Sequence, residues 1–198
     1  MGNTPHVQRL IYRPHFVPGS VVLITGASGA LGSLLAYRYA EKGANLMLTG
    51  RNASLLEEVA AKCKTINGSI KIECKTCNVT EDAENKQLVE HCLQVFGKID
   101  ILILCVGISG HQLFSENPDL SVVRRLMETN FIGYASITKF ALDSLRKNKG
   151  QIIVINSMSG LIGLPFRTAY CASKYAVRGF FEALAIEEPD INILKVYP

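Results

Sequence analysis

The chain has 198 residues, of which 48% are hydrophobic and 19% charged, with a formal net charge of +4. This is enough for one soluble globular domain with a full core. Lys and Arg form no stripe interleaved with aromatics, no apolar run reaches the roughly 18 residues of a membrane span, and the N-terminus lacks a signal-peptide core, so neither a nucleic-acid partner nor a transmembrane segment is expected.

Residues 1–19 carry His6, Arg9, Arg13, His15 and three prolines and read as an irregular arm, with residues 15–18 docked on the body. Met1-Gly2-Asn3 starts like a myristoylation site, but position 6 is His6 rather than Ser or Thr. Residues 20–198 read as a single domain without an internal linker or short repeat. Residues 21–24 are wholly apolar, as expected of a strand buried on both faces. A glycine turn at 26–32 leads into an amphipathic helix over 31–42, stopped by Gly43. A second strand follows at 45–49, a helix at 54–63 and a third strand at 70–75. Thr80 is placed to cap a helix over 81–96, with Glu81 and Asp82 suited to its first-turn dipole and Gly97 ending it. Residues 101–105 form a fourth strand. A loop with Gly107, Gly110 and Pro118 leads to a long helix over 120–147, and residues 151–155 form the fifth strand. A helix over 169–186 and a sixth strand over 191–196 complete the chain. Strands alternating with helices imply right-handed crossovers and an α/β fold, a parallel sheet covered on both faces.

The six cysteines, at 63, 74, 77, 92, 105 and 171, fall partly inside apolar runs and read as reduced thiols in a reducing compartment. Cys74 and Cys77 have no second Cys or His pair at ligand spacing, so they read as strand cysteines and no metal site is expected. Cys105 and Cys171 read as packing residues, because no His partner is evident.

Two stretches carry chemistry. Gly26, Gly29 and Gly32 sit between the first strand and the first helix, where glycine lets the backbone approach a pyrophosphate and the helix offers free N–H groups. A purely structural strand–helix turn is the competing reading. After the second strand stands Thr49-Gly50-Arg51-Asn52, with no carboxylate to repel a 2′-phosphate and an arginine able to pair with one. This favours NADP(H), with NAD(H) as second choice. The other stretch is Tyr170 to Lys174. Four residues apart on a helix, the two lie one turn apart on one face, and a fixed ammonium there stabilises a phenolate. On the pair alone, an exposed Tyr and Lys on a surface helix would be the ordinary reading.

With these pieces in order, the sequence resembles the short-chain dehydrogenase/reductase family over residues 21–198. The resemblance rests on Thr25-Gly26 with Gly29 and Gly32, on Asn130, on Ser157 thirteen positions before Tyr170, and on Tyr170 with Lys174; Pro165 in the intervening loop also fits. It implies a Rossmann-type doubly wound sheet in the order 3-2-1-4-5-6, with the family's seventh strand missing. It implies hydride transfer between NADP(H) and a carbonyl or alcohol. Ser157 would orient the substrate oxygen, with Ser159 a rival at the wrong spacing. Tyr170 would exchange the proton. Lys174 would ease ionisation of Tyr170 and bind the nicotinamide ribose. Asn130 would hold a water that positions Lys174, or simply bond backbone within its helix. The cofactor would be bound by Gly26, Ser28, Gly29, Leu31, Gly32, Arg51, Asn78, Val79, Gly107, Tyr170 and Lys174.

Departures from the family pattern are Ala30 in place of the middle glycine, Leu104-Cys105 in place of a pair of asparagines, and Asn78 in place of Asp. The chain also stops at Tyr197-Pro198, before the family's substrate-covering loop, which would leave the sixth strand as an open apolar edge. A fragment of a longer enzyme is favoured over a naturally truncated product. The Tyr170 segment is most similar to the hydroxysteroid and retinoid dehydrogenase branch. The Tyr-Pro ending is shared with ketosphinganine reductases. The resemblance therefore implies an apolar, lipid-like substrate, a homodimer through the Asn130 and Tyr170 helices using Phe180 and Phe181, and a cytoplasmic location, with peripheral association at the endoplasmic reticulum as the alternative. Two rivals are a non-catalytic nucleotide-binding protein and a pure interaction module using the sixth strand and the Tyr170 helix.

Overall fold

The computed structural model describes residues 16–117 and 119–198. Its centre is a six-stranded parallel sheet of β1 (Val21–Thr25), β2 (Asn45–Gly50), β3 (Ile72–Thr76), β4 (Ile101–Leu104), β5 (Gln151–Ile155) and β6 (Asn192–Val196), in the order β3-β2-β1-β4-β5-β6. The expected order is therefore the observed one. Every residue of β1 and β4 is buried, because these strands lie mid-sheet with helices on both faces. The two faces are separate apolar cores. One joins Leu23, Met47, Leu102, Ile137 and Phe181; the other joins Ile24, Leu46, Leu48, Ala36 and Ile103. Each such aliphatic side chain contributes roughly 1.5–3 kcal/mol on burial.

The crossover helices are α1 (Ala30–Glu41), α2 (Ala53–Ile66), α3 (Asp82–Phe96), α4 (Ser121–Met127), α5 (Gly133–Asn148) and α6 (Thr168–Glu187). Several depart from the sequence reading. Helix α2 runs past Cys63 to Ile66, where Lys64 reaches the carbonyl of Ile70 and holds the turn ahead of β3. Cys74 lies in β3, but Cys77 falls just beyond it and is buried with its thiol 3.4 Å from Asn85 Oδ1. Thr80 does not cap α3. Glu81 occupies the N-cap position without a side-chain bond, while the Thr80 N–H turns back to Asn78 Oδ1 at 3.4 Å. The long helix is α4 and α5 joined by a π-helical turn, Glu128–Ile132, which contains Asn130. Beyond it, Gly133 packs so tightly on the loop after β3 that a Cβ would sit 2.8 Å from the Val79 carbonyl oxygen.

Of the expected N-terminal arm, Phe16 docks against the body, edge-on to Tyr39 at 5.6 Å, and His15 lies outside the described residues. At the other end, β6 pairs with β5 alone among the described residues, and Leu194 is 47% exposed along this edge. Phe181 is fully buried and Phe180 is half-buried between Phe131 and Phe181, so these rings pack inside the subunit rather than forming an exposed patch. Among the described residues no helix is long and apolar enough to cross a membrane.

Candidate active site

Strand order reverses between β1 and β4, and that is where a doubly wound sheet opens a crevice at its C-terminal edge. Gly26, Arg51, Asn78, Gly107 and Ser157 follow the C-terminal ends of β1, β2, β3, β4 and β5 in turn. The sheet thus gathers residues from across the chain along one edge.

The glycine turn is shaped by close backbone approach. Gly26 adopts φ +65°, and a Cβ there would lie 3.2 Å from the Cys105 carbonyl. At Gly32 a Cβ would overlap the Gly26 carbonyl oxygen. Ala30, the departure from the family pattern, is exposed and simply begins α1. Helix α1 has no side-chain cap and no acidic residue in its first turn, whereas α2 is capped by Asn52, which accepts from the Leu55 N–H at 3.1 Å. The first helix therefore leaves its positive end open to an anion. Ser28 stands beside the same opening, and Gly50 admits it: a Cβ at 50 would lie 2.9 Å from Ser28 Oγ. Leu31 is exposed at the start of α1, and Arg51 is exposed at the end of β2 with no partner among the described residues. These features fit a dinucleotide's phosphates.

Leu104-Cys105 replaces the expected amides, and Thr25 bridges the strands there. Its hydroxyl donates to the Ile103 carbonyl at 3.2 Å and accepts from the Cys105 N–H at 3.0 Å. The Asn78–Val79 segment is held by two consecutive residues of α3. Glu84 Oε2 accepts from the Asn78 N–H at 2.7 Å, and Asn85 Nδ2 donates to the Val79 carbonyl at 2.9 Å.

At the other end of the crevice, Tyr170 and Lys174 share one face of α6. Lys174 Nζ lies 5.9 Å from the Tyr170 ring centroid and donates to the Ile155 carbonyl at 3.2 Å. Lys174 is 3% exposed, and burial pulls its ammonium down to about 8, with Cys105 acting weakly in the opposite direction. The Tyr170 hydroxyl has no hydrogen-bond partner among the described residues, which leaves it open to a ligand. Ser157 is half-buried at the end of β5, and its Oγ accepts from the Ser159 N–H at 3.2 Å, leaving its own proton to donate. Ser159, the rival, is 2% exposed. The Asn130 carboxamide accepts from the Ile108 N–H at 2.8 Å and donates to the Ile108 carbonyl at 3.0 Å and to Ser173 Oγ at 3.1 Å. It therefore ties the loop after β4 to α6, rather than bonding backbone within its own helix. Gly107 lies between these groups: a Cβ there would be 3.7 Å from Asn130 Oδ1 and 3.8 Å from Lys174 Nζ.

The sequence reading missed four contributors. Tyr134 is buried and donates to the Val106 carbonyl at 2.6 Å, and burial pushes its phenol well above the ordinary range. Ser173 links Asn130 to the Tyr170 carbonyl, which its hydroxyl meets at 2.8 Å. Arg167 lies with its guanidinium 5.5 Å from the Tyr170 ring centroid. The Glu84–Asn85 pair is the fourth. Tyr134, four positions after Asn130, was the one with a usable signal. Burial raises Cys63, Cys77 and Cys105 to about 11 and Cys92 to about 12, so these thiols are poor nucleophiles.

Residues 20–198 match the family model described as short chain dehydrogenase. The chain is 37% identical over 177 residues to a hydroxysteroid 11-beta-dehydrogenase 1-like protein of Gallus gallus, covering 89% of this chain and 61% of that protein. It is 41% identical over 187 residues to an 11-beta-hydroxysteroid dehydrogenase-like 3 of Arabidopsis thaliana, covering 93% and 60%. The structure of a levodione reductase superposes with a TM-score of 0.88 at 26% identity, covering 92% of this chain and 72% of that one. An alcohol dehydrogenase of Thermococcus sibiricus, complexed with 5-hydroxy-NADP, shares the fold with a TM-score of 0.86 at 24% identity. The chain spans about three fifths of the length of these two curated relatives. On the family match and these identities, the chain belongs to the short chain dehydrogenase family.

Proposed function

We propose that residues 20–198 form the nucleotide-binding and proton-transfer part of an NADP(H)-dependent oxidoreductase acting on a carbonyl or secondary alcohol, with an apolar, lipid-like substrate of steroid, retinoid or ketosphinganine type. The observation that carries this reading is the buried Lys174 ammonium one turn from Tyr170, in a crevice whose other end is the open start of α1. When bound, a reduced nicotinamide supplies a hydride to the carbonyl carbon. Tyr170 gives its proton to the developing oxyanion, and Ser157 donates a hydrogen bond to the same oxygen. Lys174, still largely protonated at neutral pH, favours the phenolate that remains and offers an N–H to a ribose hydroxyl. Asn130 acts by holding the Gly107–Ile108 backbone and Ser173 in place. In the oxidative direction each proton moves the other way.

Arg51, exposed after β2, supports NADP(H) over NAD(H), because a guanidinium pairs with a 2′-phosphate and no carboxylate follows β2 to repel one. The hydroxysteroid dehydrogenase names of the relatives support a lipid-like substrate. A homodimer through α5 and α6 belongs to the same reading; its apolar surface would come from exposed residues such as Ile132, Tyr175 and Ile186.

The test is a titration of NADPH and NADH into the 198-residue protein, followed by a carbonyl screen. Tyr170→Phe is expected to reduce turnover by about a hundred-fold or more, with NADPH affinity nearly intact. Arg51→Ala is expected to weaken NADPH more than NADH. Carbonyl reduction that survives Tyr170→Phe would sink the catalytic assignment, and equal weakening of both cofactors would sink the choice of NADP(H).

A further inference from the structure

A cavity of about 210 Å³ opens beside Tyr170, between the loop after β4, helix α4 and the start of α6. Part of its wall is apolar, from Phe114, Val122, Leu126 and Phe166. Its charged and titratable lining consists of Arg125, His111 and Tyr170, with no carboxylate. Arg125 has no acidic partner among the described residues. The nearby Asp119 carboxylate is engaged by the Ser121 N–H at 2.7 Å. A second guanidinium, that of Arg167, lies over the Tyr170 ring and donates to Ser109 Oγ at 3.2 Å.

The wall is held in place from both sides. Phe166 adopts φ +62°, a conformation that an L-residue with a bulky side chain rarely takes. In that conformation its carbonyl accepts from the Gln112 N–H at 2.8 Å and its ring stacks on His111 at 5.2 Å between centroids. Together with the Arg167–Ser109 bond, these contacts fasten the loop after β4 to the segment before α6. Strain of this kind persists only where surrounding contacts over-determine it. The result is a pocket with apolar sides and a guanidinium, open next to the phenol.

We infer that this cavity selects a carbonyl substrate whose apolar body carries a carboxylate, which Arg125 binds while the carbonyl faces Tyr170. The inference rests on the carbonyl chemistry proposed above and narrows its lipid-like substrate to one that also carries an acid group. The apolar walls take the chain. The guanidinium, on an exposed residue of the cavity lining, takes the acid as a charge-assisted hydrogen bond.

The test is isothermal titration of decanoate and decan-1-ol into the 198-residue protein at low salt. Decanoate is expected to bind about two- to five-fold tighter, the size of effect an exposed ion pair gives. Arg125→Gln should remove that preference and Arg125→Lys should keep part of it. Arg124→Gln deletes the same charge from the same helix outside the cavity lining, and should leave the preference in place. Equal affinity for the two probes, no binding of decanoate, or equal loss in the Arg124 and Arg125 variants would overturn the inference. A parallel assay follows NADPH oxidation with 10-oxodecanoate and its methyl ester. Turnover of both without a preference for the acid overturns the inference and leaves the carbonyl chemistry standing. Arg125-dependent decanoate binding with no turnover of either supports the carboxylate site and sinks the carbonyl chemistry.

Discussion

Tyr134 and Lys174 converge on the same atom: the carbonyl oxygen of Ile155, at the C-terminal end of β5, lies 3.4 Å from Tyr134 Oη and accepts from Lys174 Nζ at 3.2 Å. The tyrosine donates to the Val106 carbonyl, so it bridges the ends of β4 and β5 directly beneath the lysine. The position of the Lys174 ammonium is thus coupled to a buried phenol on α5, 40 positions earlier in the chain.

Tyr134→Phe removes the donor and leaves the half-buried Val106 carbonyl without this partner. The expected cost is about 1–3 kcal/mol of folding stability, the penalty for an orphaned, partly buried acceptor. Urea denaturation followed by circular dichroism measures it, with Ser136→Ala as a comparison on the same helix away from Lys174. A loss below a few tenths of a kcal/mol would mean that the hydroxyl contributes nothing to the fold.

Lys174 predicts an alkaline signature. Its folded value, about 8, lies below its ordinary 10.5, so between those pH values the unfolded chain binds more protons than the folded one. Stability from this group therefore rises with pH across the window, and below about pH 8 its destabilisation is present in full. The raised thiols act in the opposite direction. Cys63, Cys77 and Cys105, at about 11, favour the folded state below pH 9 and lose that contribution as pH climbs through their folded values. The informative quantity is consequently the difference between the wild type and Lys174→Met. The variant is expected to be the more stable at pH 7, with the gap closing by pH 10, while its affinity for NADPH falls. A gap independent of pH would contradict the depressed ammonium.

The glycine turn separates two substitutions that look alike in sequence. Gly32→Ala drives a methyl into the Gly26 carbonyl oxygen, so the turn must open. Loss of NADPH binding and a clear drop in melting temperature are expected. Ala30→Gly restores the usual family residue at an exposed helix start, where the change is worth about 1 kcal/mol or less. It should leave NADPH affinity within about two-fold, a difference of about 0.4 kcal/mol. A large gain in affinity from Ala30→Gly would show that the alanine had been blocking phosphate contact.

What was legible in the chain itself was local or periodic. The apolar runs of β1 and β4, the alternation of strands with helices, the glycine spacing at 26–32 and the one-turn spacing of Tyr170 and Lys174 all depend on near neighbours. Backbone periodicity sets such features wherever the segment lies. The strand order also followed, because it came with the family's motifs rather than from periodicity.

The tertiary structure decided everything that depends on which segments meet. Glu84 and Asn85 look like ordinary residues of a surface helix until α3 brings them beneath the end of β3, where they hold Asn78 and Val79. Phe181 reads as apolar surface on an isolated helix, yet the sheet buries it completely. Ser173 and Asn130 are 43 positions apart and hydrogen-bonded. The shifted ammonium of Lys174 has the same origin, since desolvation depends on what closes over a group and not on its neighbours in the chain. Local spacing therefore put Tyr170 and Lys174 on one helix face by sequence alone, and the family resemblance proposed them as the reacting pair. Its environment, including the buried phenol below it and the cationic cavity beside it, exists only once six strands have brought distant loops to one edge of the sheet.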